Sequence, residues 1–186
     1  MCLGRGMAAL KEYRKKRDFS VSREPRGTSR KPSPRFQFVV QEHHARRLHW
    51  DFRLEADGVL KSWAVTREPS MELGVRRLAI ETEDHPLEYG DFHGEIPKGE
   101  YGAGQVKIWD HGTFEPKRPV TLSMEEGLVE VFLKGKRLRG RFVLVRTRSE
   151  GPKSQWIFLK VKPKVINLKI PDADQLAKER KRKKAA

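Results

Sequence analysis

The segment from Gln41 to Glu55, QEHHARRLHWDFRLE, gathers side chains that bind metals and phosphates. On an extended strand successive side chains point to opposite faces, so His49, Asp51 and Arg53 share one face and Trp50, Phe52 and Leu54 the other. The apolar set must pack inward. That leaves an imidazole, a carboxylate and a guanidinium in a row outside. Two of these are metal-ligand types, and the third forks onto phosphate. His43, six residues upstream at the end of the preceding strand, completes a set of two histidines and one carboxylate. Imidazole suits Mn, Fe, Zn and Ni, and the carboxylate moves the balance toward harder ions. Mn²⁺ is therefore the first expectation, followed by Zn²⁺ or Fe²⁺. By spacing alone, a surface hydrogen bond or ion pair remains the commoner reason for a His-x-Asp pair. His44 is the weaker ligand candidate, because neighbouring strand residues face opposite ways.

Further along, Glu83-Asp84-His85-Pro86 reads as a strand end stopped by Pro86, which would project His85 into the loop region of Tyr89. Taken alone, His85 reads as a hydrogen-bonded structural histidine more readily than as a catalyst. The glycine run at 94 to 104 resembles a phosphate cradle, but no Gly-Lys-Ser/Thr closes it and no helix is expected after it. Turns, or the wall of a groove, are expected there instead. The single cysteine, Cys2, forms neither an internal disulfide nor a thiolate metal site, which fits a reducing compartment.

The elements that must hold these residues read mainly as β. Residues 8 to 17 form a short basic helix, and Pro25, Gly27, Pro32 and Pro34 mark an irregular arm. Period-two patterns then begin near Arg35 and continue through Trp50, Phe52 and Leu54. A turn at Ala56-Asp57-Gly58 joins the second strand to Val59–Thr66. Further strands are expected at 77 to 83, 105 to 110, 128 to 134, 140 to 147 and 155 to 161, the pair at 128 and 140 joined through Gly135 to Gly140. About eight short strands, with helices only at the ends, predict a small antiparallel β-barrel. The expected organisation is a basic helix and arm over 1–35, a barrel over 36–162 and a basic tail over 163–186.

The formal charge of +15 lies at the two ends: residues 1–35 carry +8, residues 160–186 carry +7, and the body is neutral. Basic ends suit a polyanionic partner, nucleic acid first, because neutralised phosphates release counterions. The run from Lys178 to Lys184 reads equally well as a solvated tail. No apolar run reaches the roughly 20 residues of a membrane helix, and no signal-like segment opens the chain, so a soluble cytoplasmic monomer is expected.

Taken together, FVVQEHHARRLHWDFRLEADGVLKSWAV, EDHPLEYGDF and IPKGEYGAG resemble the diagnostic blocks of the 3'-phosphoesterase module of bacterial ligase D. Lys16-Arg17-Asp18-Phe19, followed by Glu24-Pro25, is similar to that family's N-terminal element. The likeness runs from about residue 10 to 161. It implies a barrel with its active site in a groove on the outer surface and a divalent metal, preferably manganese, held by His43, His49 and Asp51. Arg53 and His85 would hold the scissile phosphate opposite the metal. Tyr89, Arg77 and Glu83 match further active-site positions, and Arg17, Asp18 and Glu24 match arm residues that fold over the groove. Arg47 is grouped with the substrate residues. Arg67 stands where the family usually has Lys, and Trp50 where Tyr is common; Arg and Lys are not interchangeable on a substrate. The implied activity is DNA 3'-end healing by metal-assisted attack on phosphorus. A 3'-terminal ribonucleoside is released first, then the 3'-phosphate, leaving 3'-OH ends for polymerase or ligase partners.

Two rivals stand beside this reading. A non-haem Fe(II) oxygenase would use His49 and Asp51 with a downstream histidine, His85 or His93. A non-catalytic DNA-binding module of a repair complex would use only the basic ends. A DNA ligase is not expected, because Glu55 stands at the lysine position of the nearest Lys-x-Asp-Gly-like segment, Glu55-Ala56-Asp57-Gly58.

Overall fold

Alternating side chains become strands in the computed structural model of the chain, which describes residues 10–27, 33, 35–148 and 154–163. Cys2 and the basic tail from 164 onward lie outside the described residues. Strands β1 (Gln37–His44), β2 (Leu48–Ala56), β3 (Val59–Val65) and β4 (Arg77–Glu81) come first, then β5 (Gly94–Ile96), β6 (Gly104–Pro116), β7 (Leu128–Gly135), β8 (Arg139–Arg148) and β9 (Gln155–Lys160). The order β1-β2-β3-β4-β9-β8-β7-β6 is closed by antiparallel pairing of β1 with β6, and β5 adds to the near end of β6. Eight antiparallel strands thus form a closed barrel, a solution that leaves few exposed sheet edges.

Side-chain parity divides this wall into two faces. Phe38 and Val40 of β1, Trp50, Phe52 and Leu54 of β2, and Trp63 and Val65 of β3 join Phe142, Trp156 and Phe158 in the barrel interior. A second apolar cluster lies outside: Leu10 and Tyr13 of the N-terminal segment pack with Val59, Leu60, Leu87 and Tyr89. The outer face of β1 to β3 is therefore roofed, and polar groups on it are buried.

Several elements differ from the sequence expectation. The N-terminal helix, α1, is one turn (Lys11–Lys15). A second helix, α2 (Val120–Glu126), lies inside the chain rather than at an end; Val120 and Met124 pack on the barrel core and Gly127 closes the helix in a left-handed conformation. Its short, mixed sequence carries too little periodicity to announce it. The Gly- and Pro-rich stretch contains the short strand β5 and a 3₁₀ turn, Leu87–Asp91. β4 ends at Glu81, and His85 is held by a single bridge to Leu60 in both directions, at 2.8 and 3.0 Å. β6 runs to Pro116, well past the expected end at 110. A bulge explains the short reading: Val40 pairs with Asp110 and Gln41 with Ile108, which breaks the alternation at Trp109. The Asp57-Gly58 turn has positive φ at both residues, 50° and 81°, as a tight hairpin of this hand requires. No helix among the described residues is long and apolar enough to cross a membrane.

The bulge turns Asp110 into the barrel end, where its carboxylate accepts the backbone N–H groups of Lys136, Arg137 and Leu138 at 2.9, 3.2 and 2.7 Å. Gly135 makes room for it, since a Cβ there would lie 2.4 Å from the carboxylate. Asp110 thus clamps the β7–β8 turn to β6. Asp110→Ala is expected to lower stability by about 2 kcal/mol or more, because charged hydrogen bonds are lost and buried donors stranded. Urea unfolding of the two proteins checks this; equal midpoints would show the clamp to be idle.

Candidate metal centre and phosphate pocket

Antiparallel pairing places His43 directly opposite His49 and Gln41 opposite Asp51, while Arg53 faces Ser62 on β3. One outward-facing patch therefore collects all six polar groups. Ligand atoms of His43, His49 and Asp51 lie within 4.8 Å of one another. His43 Nδ1 is 3.4 Å and His49 Nε2 3.7 Å from the Asp51 carboxylate. The far nitrogen of each ring meets a backbone carbonyl: His43 Nε2 donates to Gly102 O at 2.8 Å, and His49 Nδ1 to Arg47 O at 2.9 Å. A carbonyl only accepts, and a neutral imidazole has one N–H to give. In the neutral form that metal ligation requires, both ring lone pairs point at the carboxylate, a convergence of three acceptors that a cation relieves. Carbonyls that orient the far side of ligating histidines are the usual support of such centres. The residues fit a divalent metal.

Asp51 itself is 6 % exposed. Burial works to raise its pKa, but the Arg53 guanidinium at 3.1 Å outweighs it and holds the carboxyl well below the usual range. Arg53, 2 % exposed, is fixed on every side: Nε donates to Gln41 Oε1 at 2.7 Å, Nη1 to Ser62 Oγ at 2.9 Å, and the plane lies over the Tyr89 ring at 4.7 Å. Gln41 in turn donates to the carbonyls of Tyr89 and Phe92. Such engagement leaves a planar cation with one orientation and N–H groups to spare among its five.

The arm closes the other side. Arg17 lies over the Tyr13 ring at 3.8 Å and pairs with Glu24 at 2.8 Å and Glu83 at 3.2 Å. Glu24 also accepts from the Tyr89 hydroxyl at 3.0 Å and from Ser22 at 2.8 Å. Burial acts to raise the Glu83 pKa, but its hydrogen bonds and the cations Lys16 and Arg17 hold it down. His85 sits between the two halves, 3.3 Å from Arg17 Nη2, with Nδ1 donating to Glu83 O at 2.8 Å. Burial, with Arg53 and Arg17 beside it, pushes the imidazole well below its ordinary range, so the ring is neutral and its Nε2 lone pair is aimed at Arg17. His43, His49 and Asp51 line one pocket of about 300 Å³ together with Arg17, Arg53, Glu83, His85 and Tyr89.

Not every expected residue arrives there. Arg77 turns away and donates to Glu68 O at 2.7 Å. Arg47 and Arg67 are exposed and outside the pocket lining, and Asp18 is exposed, capping Ser20 while its N–H reaches Glu100. Glu24 reaches the site only through Arg17 and Tyr89. Among the described residues the histidine that joins His49 and Asp51 is the upstream His43, not the downstream His85 or His93 of a facial triad. His44 is exposed and pairs with Glu42. Sequence reasoning passed over Gln41, Ser62, Tyr13 and Tyr101. Strand parity alone would have found Gln41, two residues before His43 on the same face. For Tyr13, in a one-turn helix, no local signal exists.

The low pKa of His85 has a measurable consequence. In the unfolded chain the group titrates near 6.5, in the folded chain well below. The unfolded state then binds more protons in that window, so stability rises with pH there and is lost as pH falls below about 6.5. His85→Asn is expected to lose less stability than the native chain between about pH 7 and pH 5, measured by urea unfolding with metal chelated. Equal losses would show that the ring is not held neutral.

Comparison with known proteins agrees with this geometry. Residues 41–146 match the DNA ligase D 3'-phosphoesterase domain. The multifunctional non-homologous end joining protein LigD of Pseudomonas aeruginosa is 48% identical over 157 residues, 82% of this chain and 18% of that protein. The multifunctional non-homologous end joining DNA repair protein LigD of Mycobacterium tuberculosis is 46% identical over 173 residues, 90% of this chain and 22% of that protein. The corresponding protein of Mycolicibacterium smegmatis is 46% identical over 149 residues, 76% of this chain and 20% of its own length. The chain thus spans about a fifth of the length of the curated relatives it matches. A barrel whose paired strands carry this ligand set, with the family's residues matched across more than half of its length, belongs to the ligase D 3'-phosphoesterase domain family.

Proposed function

We propose that the chain is a metal-dependent DNA 3'-phosphoesterase that releases a 3'-terminal ribonucleoside and then removes the remaining 3'-phosphate. One observation carries the reading: in a member of this family, a two-histidine, one-carboxylate set faces Arg53, Arg17 and His85 across a single pocket. A divalent cation there would act as a Lewis acid on the phosphoryl oxygen, and Mn²⁺ suits the mixed donor set best. Arg53, held by Asp51, Gln41 and Ser62, presents its remaining N–H groups to a phosphate oxygen without having to reorganise. His85 Nε2 becomes a donor toward the pocket only once it is protonated. Burial is the main depressor of its pKa, and the field of Arg53 and Arg17 adds to it; a phosphate between the two arginines offsets that field and so favours the imidazolium. That proton can stabilise the phosphate or pass to the leaving oxygen. Tyr89, Glu24 and Glu83 act by fixing Arg17 and Arg53.

Exposed Arg47 and Arg67, with the basic ends, suit contacts to the DNA backbone, which position a duplex without reading its bases. Arg77 and Asp18 are assigned at most peripheral contacts. The product, a 3'-OH end, is what polymerase and ligase activities consume, consistent with relatives named for end joining. A cytoplasmic location follows from this role.

Release of phosphate from a 3'-phosphate oligonucleotide, with Mn²⁺ and with EDTA, tests the reading. His49→Ala and Asp51→Ala are each expected to lower both activities by at least about 100-fold, the scale of a lost transition-state charge contact. His85→Ala should impair phosphate removal from deoxy and ribo ends alike. The first step expels a costly alkoxide, so a neighbouring 2'-hydroxyl held in place should speed it. Ribo-terminated primers are expected to be cleaved far faster than all-deoxy 3'-OH primers, while 3'-phosphate removal tolerates deoxyribose. Full turnover in EDTA, or equal cleavage of ribo and deoxy ends, would contradict the proposal.

A further inference from the structure

Two tyrosines line the pocket and differ in one respect. Tyr89 is 2 % exposed and spent on Arg53 and Glu24, whereas Tyr101 is 45 % exposed at the pocket rim. An aromatic ring left half open among charged groups has an unused apolar surface. Its position is nevertheless well determined. The turn that carries it is closed by Glu100 N–H to Pro97 O and Ala103 N–H to Glu100 O, at 3.2 and 3.1 Å. On one side the next residue, Gly102, accepts the His43 Nε2 proton; on the other, Glu100 accepts the Asp18 backbone N–H. Tyr101 is thus fixed to a metal ligand and to the arm at once. Lys16 Nζ lies 4.8 Å over the ring and Arg17 Cζ 5.8 Å from its centre, so cations flank the aromatic surface.

A DNA end brings to such a pocket one charged group and, next to it, one flat apolar group. The phosphate suits Arg17 and Arg53; the base has no partner among the charged residues. We propose that Tyr101 stacks on the base of the nucleotide that carries the scissile phosphate, making it a substrate-positioning residue. This rests on the phosphoesterase reading above. Every base has a π face, so the contact selects for the presence of a base and not for its identity. Flanking cations strengthen the platform without adding sequence preference. Holding the base fixes the sugar, and with it the direction in which the phosphate enters the pocket.

The test compares primers with a 3'-phosphate whose last nucleotide carries a base or is an abasic tetrahydrofuran analogue. For the native chain the abasic end is expected to raise KM by about 5- to 150-fold, the range of one base–aromatic stack. Tyr101→Ala should bring the two KM values together, and Tyr101→Phe, which keeps the ring, should preserve the difference. Terminal 2-aminopurine, bound with the metal chelated, gives a second readout that needs no turnover: its fluorescence should be quenched by the native chain and by Tyr101→Phe but not by Tyr101→Ala. Equal KM values for both ends in the native chain, a preference that survives Tyr101→Ala, or quenching unchanged by that substitution would each overturn the proposal. If the native chain releases no phosphate at all, the phosphoesterase reading fails, and quenching still decides whether Tyr101 stacks on a base.

Discussion

A charged carboxylate buried in a barrel wall is the constraint around which this molecule is built. Asp51 is almost inaccessible, and removal from water alone would drive it to the neutral acid. Arg53 at 3.1 Å prevents this, but Arg53 is buried as well, and a buried pair stabilises only when its other hydrogen bonds are met. Gln41, Ser62 and the Tyr89 ring meet them. Breaking such a pair on one side costs about 3–5 kcal/mol, which explains why so many otherwise ordinary residues are committed to its support. One nitrogen of each of two imidazoles then faces the remaining side of the carboxylate, an arrangement that fits a cation.

The arm is part of the site for the same reason. Arg17 is a second buried guanidinium, neutralised by Glu24 and Glu83 and stacked on Tyr13, which anchors to Pro25 through its hydroxyl at 2.7 Å. Through Glu24 and the Tyr89 ring this layer is joined to Arg53, so the two guanidiniums belong to one connected assembly. His85 lies between them and is kept neutral by burial first and by their combined field second. An incoming anion would act against that field and so favour protonation of His85.

The strand that carries the chemistry was legible because period two is a strict rule: once Trp50, Phe52 and Leu54 are assigned to the core, His49, Asp51 and Arg53 have no other face. Hairpin chemistry at Asp57-Gly58 and the strand pattern made the barrel legible too. What lay beyond reach was set by tertiary packing. Tyr13 in a one-turn helix and Ser62 on the third strand reach the site only because separate elements cover the same outer face, and no local pattern encodes that meeting. Arg77 shows the converse limit: family likeness placed it near the site, but its strand parity, shared with core residue Ala79, turns it elsewhere. The internal helix at 120–126 and the bulge at Trp109 were hidden because both interrupt the period on which strand reading depends.

Backbone carbonyls fix both histidines so that, in the neutral rings, the lone pairs meet at Asp51. Long-range ¹H–¹⁵N NMR of the imidazole rings, without metal and with Zn²⁺ as a diamagnetic probe, tests it most directly. A proton is expected on Nε2 of His43 and on Nδ1 of His49 before addition, and coordination shifts at His43 Nδ1 and His49 Nε2 afterwards. The opposite tautomers, or coordination shifts that fall on His85 or His93 instead, would contradict it.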